Sequence, residues 1–256
     1  MRKLLFLGVI ALAITGAAFA DPITFTSVRV QNPDGGSWLE ASASFEISGS
    51  QLIVTMANIS SDPAARPSDL LTGIFFDLAN ENALTPVSAE VVGDWRVLLD
   101  GEDFTDEDSV HPYVLPDVGG EFAYEGNISS EFFQGARYGI ASAGLDDYFG
   151  PNRRFNSNTL WHPDAPNGMD FGMASAVGLL SHGGMNGNPI IVGGAVEFTF
   201  NYAGDLSTED ISNVNWQYGT SASNPNITVV PEPTTVTLLG LGIAGLLAKR
   251  RFRKKA

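Results

Sequence analysis

Apolar and polar positions alternate with a period of two along most of the chain, most clearly over residues 41–56. Ala41, Ala43, Phe45 and Ile47 fall on one face of an extended segment, and Ser42, Ser44 and Glu46 fall on the other. This is the pattern of a strand with one dry and one wet side. Ser48-Gly49-Ser50 then supplies a turn, and Leu52, Val54 and Met56 resume the alternation, so the segment reads as a hairpin. Further strand-like runs cover residues 23–30, 71–78, 87–92, 95–99, 121–125, 190–202, 214–218 and 227–230. Glycines and prolines punctuate them throughout, and no stretch between the termini sustains a long amphipathic helix. Residues 207–211 admit one short helical turn, with Ser207 and Asp210 at the spacing of an Asp-bearing capping box. Many short strands separated by turns predict an all-β body, a β-sandwich or jelly-roll-like domain over residues 21–229.

One internal echo stands out. Tyr138-Gly139-Ile140-Ala141-Ser142-Ala143 recurs 33 residues later as Phe171-Gly172-Met173-Ala174-Ser175-Ala176. Two copies are too few for a solenoid. Glycine inside a strand marks close approach of another backbone, so the two copies are expected to pack as neighbouring strands around the loop between them.

The ends of the chain depart from the period-two pattern. Met1-Arg2-Lys3 precedes an apolar run over residues 4–14, and Ala18-Phe19-Ala20 precedes Asp21-Pro22. A basic start, a short apolar stretch and an A-x-A cleavage site make residues 1–20 a signal peptide, an N-terminal signal helix handed to the Sec translocon. At the other end, Pro231-Glu232-Pro233 is followed by an apolar stretch over residues 234–248. A basic tail of six Lys and Arg then runs from Lys249 to Lys255. Fifteen helical residues rise roughly 22 Å, a short transmembrane helix against a hydrocarbon core of roughly 30 Å. Gly240, Gly242 and Gly245 suit that helix to close packing on another membrane protein. The basic tail keeps its end cytoplasmic, which leaves the body outside the inner membrane.

Residues 230–256, with their Pro-Glu-Pro, short glycine-bearing apolar helix and Arg/Lys tail, resemble the PEP-CTERM sorting signal of Gram-negative bacteria. The resemblance implies recognition at Pro231, Glu232 and Pro233 by an exosortase. That membrane protease-like transpeptidase removes the tail and passes the protein to the cell surface or extracellular matrix. It also implies an organism that makes an exopolysaccharide matrix, in which biofilm partners would be found.

Charge narrows the function classes. The chain carries 14 Lys and Arg against 29 Asp and Glu, and the bases crowd into the two ends. Residues 21–230 keep six bases, all arginine, against 28 acids, a net of −22. A body this acidic lacks the basic footprint that nucleic acid requires. Zero cysteines exclude disulfides, Cys-ligated metals and thiol nucleophiles. His111, His162 and His182 are scattered without metal-ligand spacing, and no Gly-x-Ser-x-Gly elbow occurs. The reading is therefore of a protein that is not an enzyme. Acids are too plentiful for a glycosidase pair to be picked out from spacing.

Two binding candidates remain. Residues 100–108 hold six carboxylates in nine positions, and Ca²⁺ takes six to eight oxygens from loops of this kind. Asp103, Asp106 and Asp108 are the candidate ligands, with a solvated acidic loop as the alternative. The second candidate is the loop-rich segment between the echoed strands, where Trp161, Tyr148, Phe149 and Phe155 accompany Arg153 and Arg154. Aromatic faces beside polar groups suit a saccharide, and Trp161, Tyr148 and Arg153 are the candidate contacts. The same aromatics also suit a core, with the arginines neutralising Asp146 and Asp147. The expected protein is a secreted, exosortase-processed surface or matrix protein with a structural or adhesive role beside exopolysaccharide. A carbohydrate-binding module, possible cofactor Ca²⁺, is the alternative, and a glycan-acting hydrolase the third reading. The sequons at Asn58, Asn127 and Asn226 are assigned no role in a bacterium.

Overall fold

A chain with period-two patterning must pair its backbone amides and carbonyls between strands rather than within helices. The computed structural model describes residues 21–79, 83–98, 116–128, 131–149, 151–157, 171–180 and 189–229, and it satisfies that requirement with one large sheet. The signal peptide at residues 1–20 and the sorting segment from residue 230 onward lie outside the described residues. In chain order the strands are β1 (Ile23–Thr26), β2 (Val30–Gln31), β3 (Trp38–Leu39), β4 (Ala41–Ser48), β5 (Gln51–Asn58), β6 (Leu71–Leu78) and β7 (Leu84–Leu98). They continue as β8 (Ala123–Gly126), β9 (Tyr138–Ala141), β10 (Gly172–Ala174), β11 (Ile190–Tyr202), β12 (Ile211–Tyr218) and β13 (Asn226–Thr228). Helical structure among the described residues is confined to single 3₁₀ turns. One of them, Thr208–Asp210, is where the capping-box spacing predicts it, and the Asp210 carboxylate accepts from both the Ser207 amide (2.8 Å) and the Ser207 hydroxyl (2.9 Å).

The sheet runs β1-β4-β5-β11-β10-β6-β12-β13. Its two ends meet, because Ser27 bridges Val229 in antiparallel fashion and the Val28 amide donates to the Thr228 carbonyl at 2.9 Å. The circuit is therefore closed, which leaves fewer open strand edges than a flat sheet would. The predicted hairpin is β4–β5, in register from Ala41↔Asn58 to Ser48↔Gln51, with strictly alternating burial.

The runs at residues 87–92 and 95–99 turn out to be one strand, β7, paired along its length with β11. These two long strands bend together where the β11 register shifts between Gly193 and Ala195. Gly194 adopts φ +64°, and a Cβ there would sit 2.8 Å from both the Trp95 Cβ and the Val92 carbonyl oxygen. Only glycine fits that bulge. Beyond the bend, β11 leaves β5 and pairs in parallel with β10, so the bend carries the sheet from one layer of the sandwich into the other.

The main core lies between the layers. Phe45 of β4 meets Phe76 of β6 edge-on at 5.3 Å, and Phe198 of β11 meets Phe122 at 4.9 Å. Strand β6 is buried on both faces. Ile74 and Phe76 join the main core, whereas Phe75 enters a second cluster with Phe133, Leu145 and Phe149. Double-sided burial is why residues 71–78 read as a nearly continuous apolar run rather than an alternating one.

The echoed segments are β9 and β10 with their flanks. Both pair antiparallel with β6, β9 at Gly73–Phe76 and β10 at Leu71. They lie end to end along one edge of β6 rather than side by side. Ser142, at the junction, donates its amide to the Thr72 carbonyl (2.8 Å) and its hydroxyl to the Phe171 carbonyl. The small residues serve close approach as expected, but to β6 and not to each other.

Candidate functional site

Of the saccharide candidates, Tyr148 and Arg153 fall within the described residues, and Trp161 does not. Leu145, Asp146 and Asp147 take left-handed conformations in succession, with φ of 45°, 60° and 72°. Such residues cost roughly 1–2 kcal/mol each, least for Asp. Complete burial of Leu145 in the second cluster is worth about 1.5–3 kcal/mol and offsets much of that. Asp146 also accepts from the Ser221 hydroxyl (3.1 Å) and the Ala222 amide (3.0 Å).

This turn sets Tyr148 edge-on to Phe133 at 5.2 Å, with part of its ring exposed. The Arg153 guanidinium donates to the Tyr148 carbonyl (2.8 Å) and forms an ion pair with Glu125. Tyr148 and Arg153 are thus brought together, with Glu125 as the charge partner. Phe149 and Phe155 belong to the cores. Arg154 donates to the Gly120 carbonyl at 2.6 Å. Beside them, Tyr124 packs edge-on to Phe200 at 5.0 Å. Burial, and then the neighbouring Tyr138 and Glu125, hold its phenol well above the ordinary tyrosine range, so it stays neutral.

A second place, which the sequence reading missed, is the β2–β3 hairpin. Trp38 is 38% exposed, and the Arg29 guanidinium sits 4.7 Å from the centre of its ring, within cation–π range. Arg29 is held there by the Ser61 hydroxyl (2.8 Å), and the Trp38 amide donates to Asp62 (2.9 Å). Residues 31–36 line an open recess of about 420 Å³, and Gln31 at its edge pairs with Trp38 across the hairpin. Its floor is rigid. Buried Asn32 donates to Asp69 at 2.6 Å, while Asp69 also accepts from Ser37 (3.1 Å) and the Ala65 amide (2.9 Å). Arg66 closes the loop by donating to the Asp34 carbonyl. The only sequence hint is a tryptophan two residues after Gly35-Gly36; its partners, 9 and 24 residues away, are set by tertiary structure.

Asp103, Asp106 and Asp108 lie outside the described residues, as do Pro231, Glu232 and Pro233. Among the described residues, no three His, Asp or Glu side chains converge as cation ligands. No described helix is long and apolar enough to cross a membrane, and residues 234–248 are not among those described.

Comparison with known proteins assigns the C-terminal segment. Residues 229–254 match the PEP-CTERM protein-sorting motif. That match begins at Val229, the residue whose bridge to Ser27 closes the sheet. No curated protein and no solved structure matches the chain.

Proposed function

From the premise that residues 229–254 are an exosortase-directed sorting motif, which implies export and membrane-associated sorting, we propose a surface or matrix protein without enzymatic activity. Its acidic β body works structurally or adhesively against exopolysaccharide. The single observation that carries this reading is the sorting motif joined directly to a closed, well-packed β body. A net charge of −22 over residues 21–230 repels an anionic polymer unless divalent cations bridge the two. Residues 100–108 supply carboxylates for that bridging. Residues 1–20 direct the chain to the Sec translocon, and residues 234–248 hold it in the inner membrane until the tail is removed.

The test is co-sedimentation of the exported protein with acidic exopolysaccharide, with and without millimolar Ca²⁺. Calcium-dependent retention is expected, and no retention in either condition sinks the proposal. Loss of the C-terminal tail in a host that supplies an exosortase is followed separately by mass.

A second reading, a carbohydrate-binding module, is favoured by the partly exposed Trp38 stacked under Arg29 on the same hairpin that carries the recess of residues 31–36. Glycan arrays separate the two readings. Sugar-specific binding lost in Trp38→Ala selects the module at this hairpin, and loss in Trp161→Ala selects the Tyr148–Arg153 region instead. A fall in polymer viscosity on incubation with the protein would reinstate the hydrolase.

A further inference from the structure

The outer face of the β4–β5 hairpin takes no part in the core. Ser42 and Ser44 on β4 and Thr55 and Ala57 on β5 alternate with buried neighbours and are themselves half-buried, as residues on a solvated sheet face are. Strand β1 widens this face, because Thr24 and Thr26, both exposed, pair with Ser44 and Ser42. The registers therefore line up Thr24, Ser44 and Thr55 in one row across three strands, with Thr26 and Ser42 in the next. Neighbouring strands lie about 4.8 Å apart, and same-face residues follow about 6.6 Å apart along a strand. The five hydroxyls thus form a regular two-dimensional array.

The array leads to an apolar end. Burial alternation continues back along the chain from β4, with Ala41 and Leu39 buried, Glu40 half-buried and Trp38 exposed. The Ile59 amide donates to the Glu40 carbonyl at 2.9 Å, which extends the hairpin ladder and sets Ile59 across from Glu40 and diagonal to Trp38. Ile59 is 42% exposed beside the 38% of Trp38. From Trp38 to Ser44 is six residues, roughly 20 Å of extended chain.

An indole followed by rows of hydroxyls matches a sugar polymer, whose C–H faces pack on aromatic and aliphatic groups while its own hydroxyls exchange hydrogen bonds. A protein partner would call for an apolar centre ringed by polar groups, whereas here the apolar pair sits at one end. Charge then selects the polymer. Glu40 and Glu46 lie along β4, and Glu197 of β11 pairs with Thr55 at the inner border, so a polyanion laid on this face is repelled. A polycation would be drawn to the whole acidic body and to no face in particular.

We propose that the outer face of β1, β4 and β5, from Trp38 and Ile59 to the row of Ser44, is the binding platform for one extended chain of an uncharged polysaccharide. It rests on the reading of the Arg29–Trp38 hairpin as a carbohydrate site and extends that site from one sugar at the indole to a polymer. Binding here requires no calcium.

The experiment is affinity electrophoresis of the exported protein through gels containing soluble β-glucan, xyloglucan, galactomannan or, as the polyanion, alginate, in EDTA and in millimolar Ca²⁺. Retardation by at least one uncharged polymer in EDTA is expected. The hexasaccharide of that polymer should bind about tenfold tighter than its disaccharide, because only the longer chain reaches from Trp38 to Ser44. Ser44→Arg lays a long side chain across the row and should cost the hexasaccharide about tenfold while leaving the disaccharide unchanged. Thr24→Arg, at an exposed position of the same row, carries the test should Ser44→Arg fail to fold. If the Arg variants bind the hexasaccharide at parental strength and Trp38→Ala does not, the hairpin remains a sugar site and the platform is overturned. Undiminished binding in Trp38→Ala overturns both. Retardation by alginate alone, and only with Ca²⁺, overturns the platform and leaves the calcium-bridged reading standing.

Discussion

Gly139 offers the sharpest test of how tightly the two-sided strand β6 is packed. A Cβ at this position would lie 2.6 Å and 2.7 Å from two carbons of the Phe75 ring, and 2.7 Å from the Ile128 Cδ1. Ile128 can rotate away at its tip, but the Phe75 ring cannot. It stacks on Phe133 with ring centres 4.0 Å apart and meets Phe149 edge-on at 5.8 Å. Relieving the contact means moving that stack by close to an ångström, and overpacking of this kind costs about 1–3 kcal/mol. Against it stands the unfolded-state entropy that Gly→Ala removes, worth about 0.4–1 kcal/mol, since Gly139 is not among the positive-φ residues. The steric term wins, and Gly139→Ala should destabilise the protein by about 2 kcal/mol. For a body of this size that is a melting point lower by about 4–8 °C. Urea denaturation should show a lower midpoint at constant slope. Combining Gly139→Ala with Phe75→Leu should restore part of the loss, with a coupling of at least about 1 kcal/mol. A melting point within about 1 °C of the parent would refute the packing argument, since that is the scale of a neutral surface change.

Tyr218, fully buried, and Tyr124 have phenol pKa values raised by burial above the ordinary value of about 10. The stability this confers is complete below about pH 10 and is lost as pH climbs toward the folded-state values, so unfolding should set in on the alkaline side. Tyr218→Phe should flatten that alkaline slope in pH-dependent melts, and an unchanged slope would exclude Tyr218 as its source. Asp69→Ala removes the acceptor for Asn32, Ser37 and Ala65 and should cost about 2–4 kcal/mol in denaturant titration; an effect under about 0.5 kcal/mol would show the hairpin floor to be held otherwise. Trp38→Ala should leave the melting point nearly unchanged while abolishing glycan retention, and retention at parental strength would remove the hairpin from consideration. Calcium should raise the melting point by mass action, an increase lost in Asp106→Ala, and the absence of any shift would return residues 100–108 to a solvated loop.

The parts of the fold legible in the sequence are those where one physical preference acts alone. The β4–β5 hairpin has one wet face, so alternation reveals it, and residues 190–202 are strand over the predicted span. The bend in β11 was not legible. Gly193-Gly194 looks like a break until Gly93 and Val92 are known to lie across from it, which only pairing decides. The same blindness split β7 in two. The echo of residues 138–143 in 171–176 reveals close packing but not the partner, because small residues report that a backbone is near and not which one. At the sites, the sorting motif is readable because its Pro-Glu-Pro, apolar stretch and basic tail follow one another directly in the chain. The Arg29–Trp38 pair was not, since exposure of Trp38 depends on Ser61 and Asp62 arriving from another loop.

The closed sheet has a mechanical consequence. Tension applied to the protein through its C-terminal end enters the body at Val229 and passes first into β13, which is held to β12 by three residue pairs and to the start of the chain through Ser27. These contacts open one after another, as a zipper does, whereas the twelve β7–β11 pairs deeper in the sheet share any load that reaches them. The seam is thus a mechanical fuse. Under pulling it yields early and lengthens the tether by a few residues, which dissipates force while the aromatic core stays intact.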